Sequence, residues 1–173
     1  LTAAAPLLLA RRAKGANDRI RVGVIGAGNR SGLLIDQLPE GAEVVSVADC
    51  YLKKAEDLAA KRQAKWRIHQ DYRRLLDDKE IDGIIIGATD HARALLCIQA
   101  CQADKDVYAE KPLTLYVSEG RAIVNAAARY KRVFQVGSQQ RSMAANQVAC
   151  KFVREGGLGE IYFVQGCNYP SAR

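Results

Sequence analysis

The sequence predicts an α/β fold, a doubly wound parallel sheet with helices on both faces. From Arg19 onward, short strand-like runs alternate with amphipathic helical stretches, the rhythm of a parallel sheet whose crossovers are helices. The run Ile84-Ile85-Ile86 is apolar throughout, as a central strand covered on both faces must be. A glycine-rich turn separates the first run from the first helical stripe.

Taken in order, Arg21-Val22-Gly23-Val24-Ile25 reads as the first strand. Leu33, Leu34 and Leu38 mark a helix that stops at the turn signal Pro39-Glu40-Gly41. Val44 to Ala48 is the second strand, and Leu52, Ala55, Leu58 and Ala59 stripe the second helix. After the central strand come a helix over 91–103, a strand over 106–109, a helix over 118–131 and the strand Val133-Phe134-Gln135-Val136. A further helix near 143–155 ends at Gly156-Gly157-Leu158-Gly159, and Ile161-Tyr162-Phe163-Val164 reads as the first strand of a second, α+β domain that is cut off. The expected division is therefore a tail over 1–18, a first α/β domain over 19–142, and a linking helix with the start of a truncated second domain over 143–173.

Composition sets the class. The chain has 173 residues, 49% apolar and 26% charged, enough for about one domain with a real core. Its net charge is +7, but Arg11, Arg12, Lys14, Arg19 and Arg21, offset by Asp18, account for four of those charges. The remainder carries too weak a field, and at 6% too few aromatics, for a nucleic-acid-binding surface.

Cys50, Cys97, Cys101, Cys150 and Cys167 form an odd set without a Cys-x-x-Cys pair, and neither His69 nor His91 stands at metal-ligand spacing from them. No metal site and no disulfide framework is read. Cys97 and Cys101 fall on the stripe Ala94, Leu95, Cys97, Ile98, Cys101, which points to core packing. Leu1 to Ala10 is apolar but far shorter than the roughly 20 residues of a membrane span. It fits the rear of an export signal's apolar region, which would place the protein in the periplasm; read as a plain tail, it leaves the protein in the cytoplasm.

The strongest chemical signal is Gly26-Ala27-Gly28-Asn29-Arg30-Ser31-Gly32, between the first strand and the first helix. Such a turn lets the backbone approach a pyrophosphate and aims helix N–H groups at its charge, which makes the fold Rossmann-type and Gly26, Gly28, Asn29 and Arg30 candidate cofactor contacts. The third glycine position holds Ser31. Asp49 follows Gly28 by 21 positions and closes the second strand. Its carboxylate suits ribose hydroxyls and would repel a 2′-phosphate, favouring NAD over NADP; alternatively it caps the helix starting near Tyr51.

The glycine turn, Ala48-Asp49, Thr89-Asp90-His91, Glu110-Lys111-Pro112 and Val136-Gly137-Ser138-Gln139-Gln140-Arg141 together resemble the Gfo/Idh/MocA oxidoreductases, from about Arg19 to the end of the chain. The resemblance implies that Lys111 is catalytic, beside the nicotinamide and the reacting hydroxyl. It also implies that Thr89, His91, Glu110 and Gln139 lie on the cofactor. A lysine suits this task where a neighbouring cation and partial burial favour its neutral form, so that it can bond the hydroxyl and relay its proton. Pro112 would fix the chain direction behind it.

His91 reads equally as a hydrogen bonder at a helix start, and His69 as structural. Relatives with such a loop often continue with an aromatic and a second histidine. This chain has Ala92-Arg93 instead, and no second-histidine role carries over.

The resulting expectation is the cofactor-binding part of an NAD(P)-dependent oxidoreductase that moves hydride between the nicotinamide and a hydroxyl or keto carbon of a sugar, cyclitol or related polyol. A second catalytic group and most substrate contacts would come from a further domain, through which a homo-oligomer would form. The chain alone would then bind NAD weakly and turn over nothing. The other reading is a non-catalytic NAD-binding or sensing module, which would have no need of Lys111.

Overall fold

The computed structural model describes residues 19–166. The expected tail and export signal, and Cys167, lie outside the described residues. The chain divides into two compact units, one ending at Gly137 and one beginning at Ser138.

In the first unit the strands are β1 (Ile20–Ile25), β2 (Ala42–Ala48), β3 (Arg67–His69), β4 (Gly83–Ile86), β5 (Asp106–Glu110) and β6 (Phe134–Gly137). They form one sheet in the order β3-β2-β1-β4-β5-β6, parallel at every pairing. The helices α1 (Asn29–Asp36), α2 (Leu52–Lys61), α3 (Tyr72–Leu76), α4 (Asp90–Gln102) and α5 (Val117–Tyr130) are the crossovers. The chain order reverses between β1 and β4, and the crevice outside the carboxyl ends of the strands at such a point is where open α/β sheets bind ligands.

The sheet is buried on both faces. Along β4, Ile84 and Ile86 pack into one apolar cluster with Leu96, Cys97 and Cys101 of α4 and Ile123 of α5. Ile85 points to the other, with Val22 and Val24 of β1, Leu34 of α1 and Leu58 of α2. That period of two inside an apolar run is what a central strand requires. Lys105, at the opposite end of the sheet from the strands' carboxyl ends, is buried and donates from Nζ to the carbonyls of Asp78 at 2.6 Å and Ile81 at 2.8 Å. Its removal from water lowers its pKa, chiefly through burial.

Most elements fall within one or two residues of their expected bounds, and three differences have physical causes. β3 and α3 were not foreseen: a three-residue edge strand and a five-residue helix are too short to show a period. Leu95 is exposed while Leu96 is buried, so the α4 stripe is displaced by one position there, and Leu33 of α1 is likewise exposed. The expected strand Ile161–Val164 is not formed; it has no partner strand among the described residues, and a strand is held by the hydrogen bonds of its neighbour. The second unit contains a 3-10 turn, Gln139–Ser142, and α6 (Ala144–Arg154).

Candidate functional site

The register of the sheet brings Gly26, Asp49 and Glu110 to one edge. Ile25 pairs with Ala48 on one side and Ile86 on the other, and Ile86's neighbour Ala109 completes a row across β2, β1, β4 and β5. One residue further along each strand stand Asp49, Gly26, Gly87 and Glu110. The row beneath is buried, so this edge has a rigid floor.

Gly26 is required twice over. Its φ is +90°, and a Cβ there would lie 2.8 Å from the backbone nitrogen of Ala88. Gly28 differs: its φ is −80°, and a Cβ would meet nothing within 4 Å. Open space therefore lies over the turn at Gly28. α1 begins here with no side-chain cap and no acidic residue in its first turn, leaving its N-terminal dipole and N–H groups suited to an anion. An open cradle lined by such donors fits the pyrophosphate of a dinucleotide. Ser31, where the pattern has a third glycine, is fully buried at the point where α1 crosses Gly87, whose missing side chain makes the room.

Asp49 makes the bond expected at the entry to α2 and a second one, to the glycine turn, that the sequence did not suggest. Its Oδ2 accepts from the Ala27 N–H at 2.8 Å and its Oδ1 from the Tyr51 N–H at 2.9 Å. It thus braces the glycine turn and the entry to α2 at once. A carboxylate has about four acceptor positions, so it retains capacity for ribose hydroxyls.

At the end of β5, Glu110 is buried at 3% exposure and stands 2.8 Å from the Arg30 guanidinium. The bond from Arg30 to this carboxylate raises the arginine's pKa above its usual value. Burial, and then the charge of Glu110, push the Tyr108 phenol up. Gly137 on β6 leaves space for this group, since a Cβ there would come within 2.8 Å of both Glu110 Oε1 and the Tyr108 hydroxyl. Arg30 and Glu110, both read from the sequence as cofactor contacts, are thus first of all partners of each other. Lys111 follows, exposed, with its N–H donating to Glu110 Oε2 at 3.2 Å and a cis peptide to Pro112.

In the loop after β4, Thr89 is the residue before α4, and its hydroxyl is 3.4 Å from His91 Nε2. Both are exposed. Gln139 opens the 3-10 turn of the second unit and is also exposed. Among the described residues, no group of three or more His, Cys, Asp or Glu is placed to hold a metal ion, and no helix is long and apolar enough to cross a membrane. Cys97 and Cys101 are core residues, with burial pushing their thiols up to about 12 and about 11.

The residue that sequence reasoning passed over is Arg93. It is 3% exposed on α4, and its guanidinium donates to the carbonyls of Ala88 (2.7 Å) and Pro112 and to Asp90 Oδ1 (2.9 Å). The available signal was an arginine beside Ala94 on the apolar face of a helix, three residues after an aspartate.

Residues 20–138 match the family profile described as oxidoreductase family, NAD-binding Rossmann fold. The chain is 27% identical over 157 residues to an inositol 2-dehydrogenase of Salmonella typhimurium, covering 88% of this chain and 47% of that one. It thus spans under half the length of that relative. Two solved structures share the fold: myo-inositol 2-dehydrogenase from Lactobacillus plantarum (TM-score 0.74, 24% identity, covering 83% of this chain and 43% of that one), and the WlbA dehydrogenase from Bordetella pertussis in complex with NADH and UDP-GlcNAcA (TM-score 0.75, 25% identity, 83% and 44%). With more than half of its length matched by that profile, the chain belongs to the Gfo/Idh/MocA oxidoreductase family and carries its NAD-binding Rossmann fold.

Proposed function

We propose that this chain is the cofactor-binding part of an NAD-dependent dehydrogenase that oxidises a hydroxyl of a cyclitol or sugar, with Lys111 as its catalytic residue. The observation that carries the reading is the convergence of the glycine turn, Asp49, the Thr89–His91 loop and Lys111 at the carboxyl ends of four neighbouring strands. Bound nicotinamide would supply the hydride acceptor.

The residues of the chain supply the rest. The turn at Gly26 and Gly28 with the α1 N-terminus holds the phosphates, and Asp49 accepts from the adenosine ribose. An anion at that point disfavours a 2′-phosphate, which favours NAD over NADP. Thr89 and His91 flank the nicotinamide ribose. Lys111, exposed beyond a buried Glu110, is placed to hydrogen-bond the substrate hydroxyl, and its amine form would take that proton as hydride leaves. The relative's name makes an inositol the first substrate class to offer, beginning with the myo isomer. Substrate contacts, a second acid–base group and subunit contacts would come from sequence beyond this domain.

The test uses the full-length protein with NAD and myo-inositol, followed by absorbance of the reduced nicotinamide. Lys111→Ala should lower kcat by about 10²- to 10⁴-fold while NAD affinity changes by less than about threefold. Wild-type turnover by the alanine variant overturns the assignment, and NAD binding with no oxidation of any polyol or sugar favours a sensing module.

A further inference from the structure

The loop after β4 and the segment after β5 carry the groups assigned above to the nicotinamide end, and their relative placement decides whether Lys111 meets the substrate. The β4–β5 ladder ends with Ile86 opposite Ala109. Past that point the backbones separate, one towards α4 and the other through Lys111 and Pro112. Among the described residues, the hydrogen bonds that join 87–90 to 111–113 all pass through Arg93. From inside α4, its guanidinium reaches the Ala88 carbonyl with Nη2 and the Pro112 carbonyl with Nη1, and Nη2 also bonds Asp90 Oδ1.

We propose that Arg93 is a positioning residue for Lys111: one buried guanidinium ties the carbonyl after Lys111 to the carbonyl before Thr89, and so sets the lysine against the loop at the nicotinamide ribose. The proposal rests on the reading of Lys111 as catalytic. The chemistry of the side chain supports it. A cation taken almost wholly out of water is costly unless acceptors replace the solvent, and two carbonyls with a carboxylate do so here. Arginine can serve two separate carbonyls because its donors diverge in a rigid plane; lysine, with its donors on one nitrogen at the end of a flexible stem, must gather its acceptors around a single point. Lys105 offers the contrast within the same molecule: it too is buried on two carbonyls, but at the far end of the sheet. Lys105 serves stability, whereas Arg93's bonds bracket residues of the site.

The experiment compares Arg93→Met, Arg93→Lys and Lys105→Met in the full-length protein with NAD and myo-inositol. Both methionine variants should lower the melting temperature. Arg93→Met should also lower kcat by about 10- to 100-fold with KM and NAD affinity within about threefold, as expected when a reacting group is misplaced by about an ångström. Lys105→Met should keep kcat per folded molecule. Arg93→Lys should recover part of the rate, and it carries the comparison alone if the methionine variant does not fold.

A second measurement needs no turnover. The rate at which acetic anhydride modifies Lys111 in the NAD-loaded protein, read by mass spectrometry, should change several-fold in the Arg93 variants and not in Lys105→Met. Equal kcat and equal Lys111 acetylation in the Arg93 and Lys105 variants would overturn the proposal. If Lys111→Ala instead retains full activity, the functional reading fails by itself, and the acetylation rates still decide whether Arg93 holds Lys111.

Discussion

Arg30 and Glu110 meet at 2.8 Å, so the first turn of α1 is joined to the end of β5 across the end of β4, which lies between their strands in the sheet. The pair is asymmetric: the Arg30 side chain is 34% exposed and that of Glu110 4%.

That asymmetry predicts unequal losses. Arg30→Met leaves a buried carboxylate without its partner and should cost about 3 kcal/mol, whereas Glu110→Gln leaves an arginine that water can reach and should cost about 1 kcal/mol. Denaturant unfolding of the two variants checks the order. Equal losses would mean that the pair is held as loosely as an ordinary surface bridge.

The two glycines of the turn should separate fold from binding. Gly26→Ala meets a left-handed φ and the Ala88 backbone together, so it should destabilise the domain by about 2–3 kcal/mol and abolish NAD binding. Gly28→Ala places its methyl in open space, so the melting temperature should hold while NAD affinity falls at least about tenfold. Tight NAD binding by Gly28→Ala, measured by calorimetry, would remove the phosphates from that space.

On the proposed reading, Asp49→Ser should weaken NAD binding and narrow the proposed preference for NAD over NADP by about tenfold, since it would remove both a ribose acceptor and the negative charge. Part of the loss will come from freeing the Ala27 and Tyr51 N–H groups. Asp49→Asn keeps one acceptor for that bracing without the charge. If it binds NADP no better than wild type does, charge repulsion is not the basis of the preference.

Cys97 and Cys101 predict a stability loss in alkali. Burial lifts their thiols from 9.0 to about 12 and about 11. Above pH 9 the unfolded chain releases these protons while the folded one keeps them, so unfolding becomes easier as pH rises towards the folded values. The Cys97→Ala, Cys101→Ala double variant should be less stable at neutral pH, from lost packing, yet show a shallower decline between pH 9 and 11. Unfolding curves at several pH values decide it. A decline as steep as that of wild type would assign it to other groups.

What the sequence determined by itself was whatever depends on neighbours along the chain. The alternation of apolar runs with helical stripes specifies a parallel sheet, and Gly26 and Gly28 after one strand with Asp49 after the next specify a dinucleotide turn, because a strand–turn–helix unit is built from contiguous residues. Glu110-Lys111-Pro112 is contiguous too, but the role expected of it came from the family resemblance, since a strand-end Glu-Lys-Pro reads equally as a solvated surface turn. What only the tertiary structure decided was which distant charges meet. Arg30 stands 80 positions before Glu110, and Arg93 19 before Pro112, and nothing in either spacing announces a contact. The pairings exist because β1, β4 and β5 lie side by side with their ends in register, so that residues far apart in the chain share one edge. The same dependence on neighbours explains Ile161–Val164, whose β-forming composition makes no strand where no described strand lies beside it.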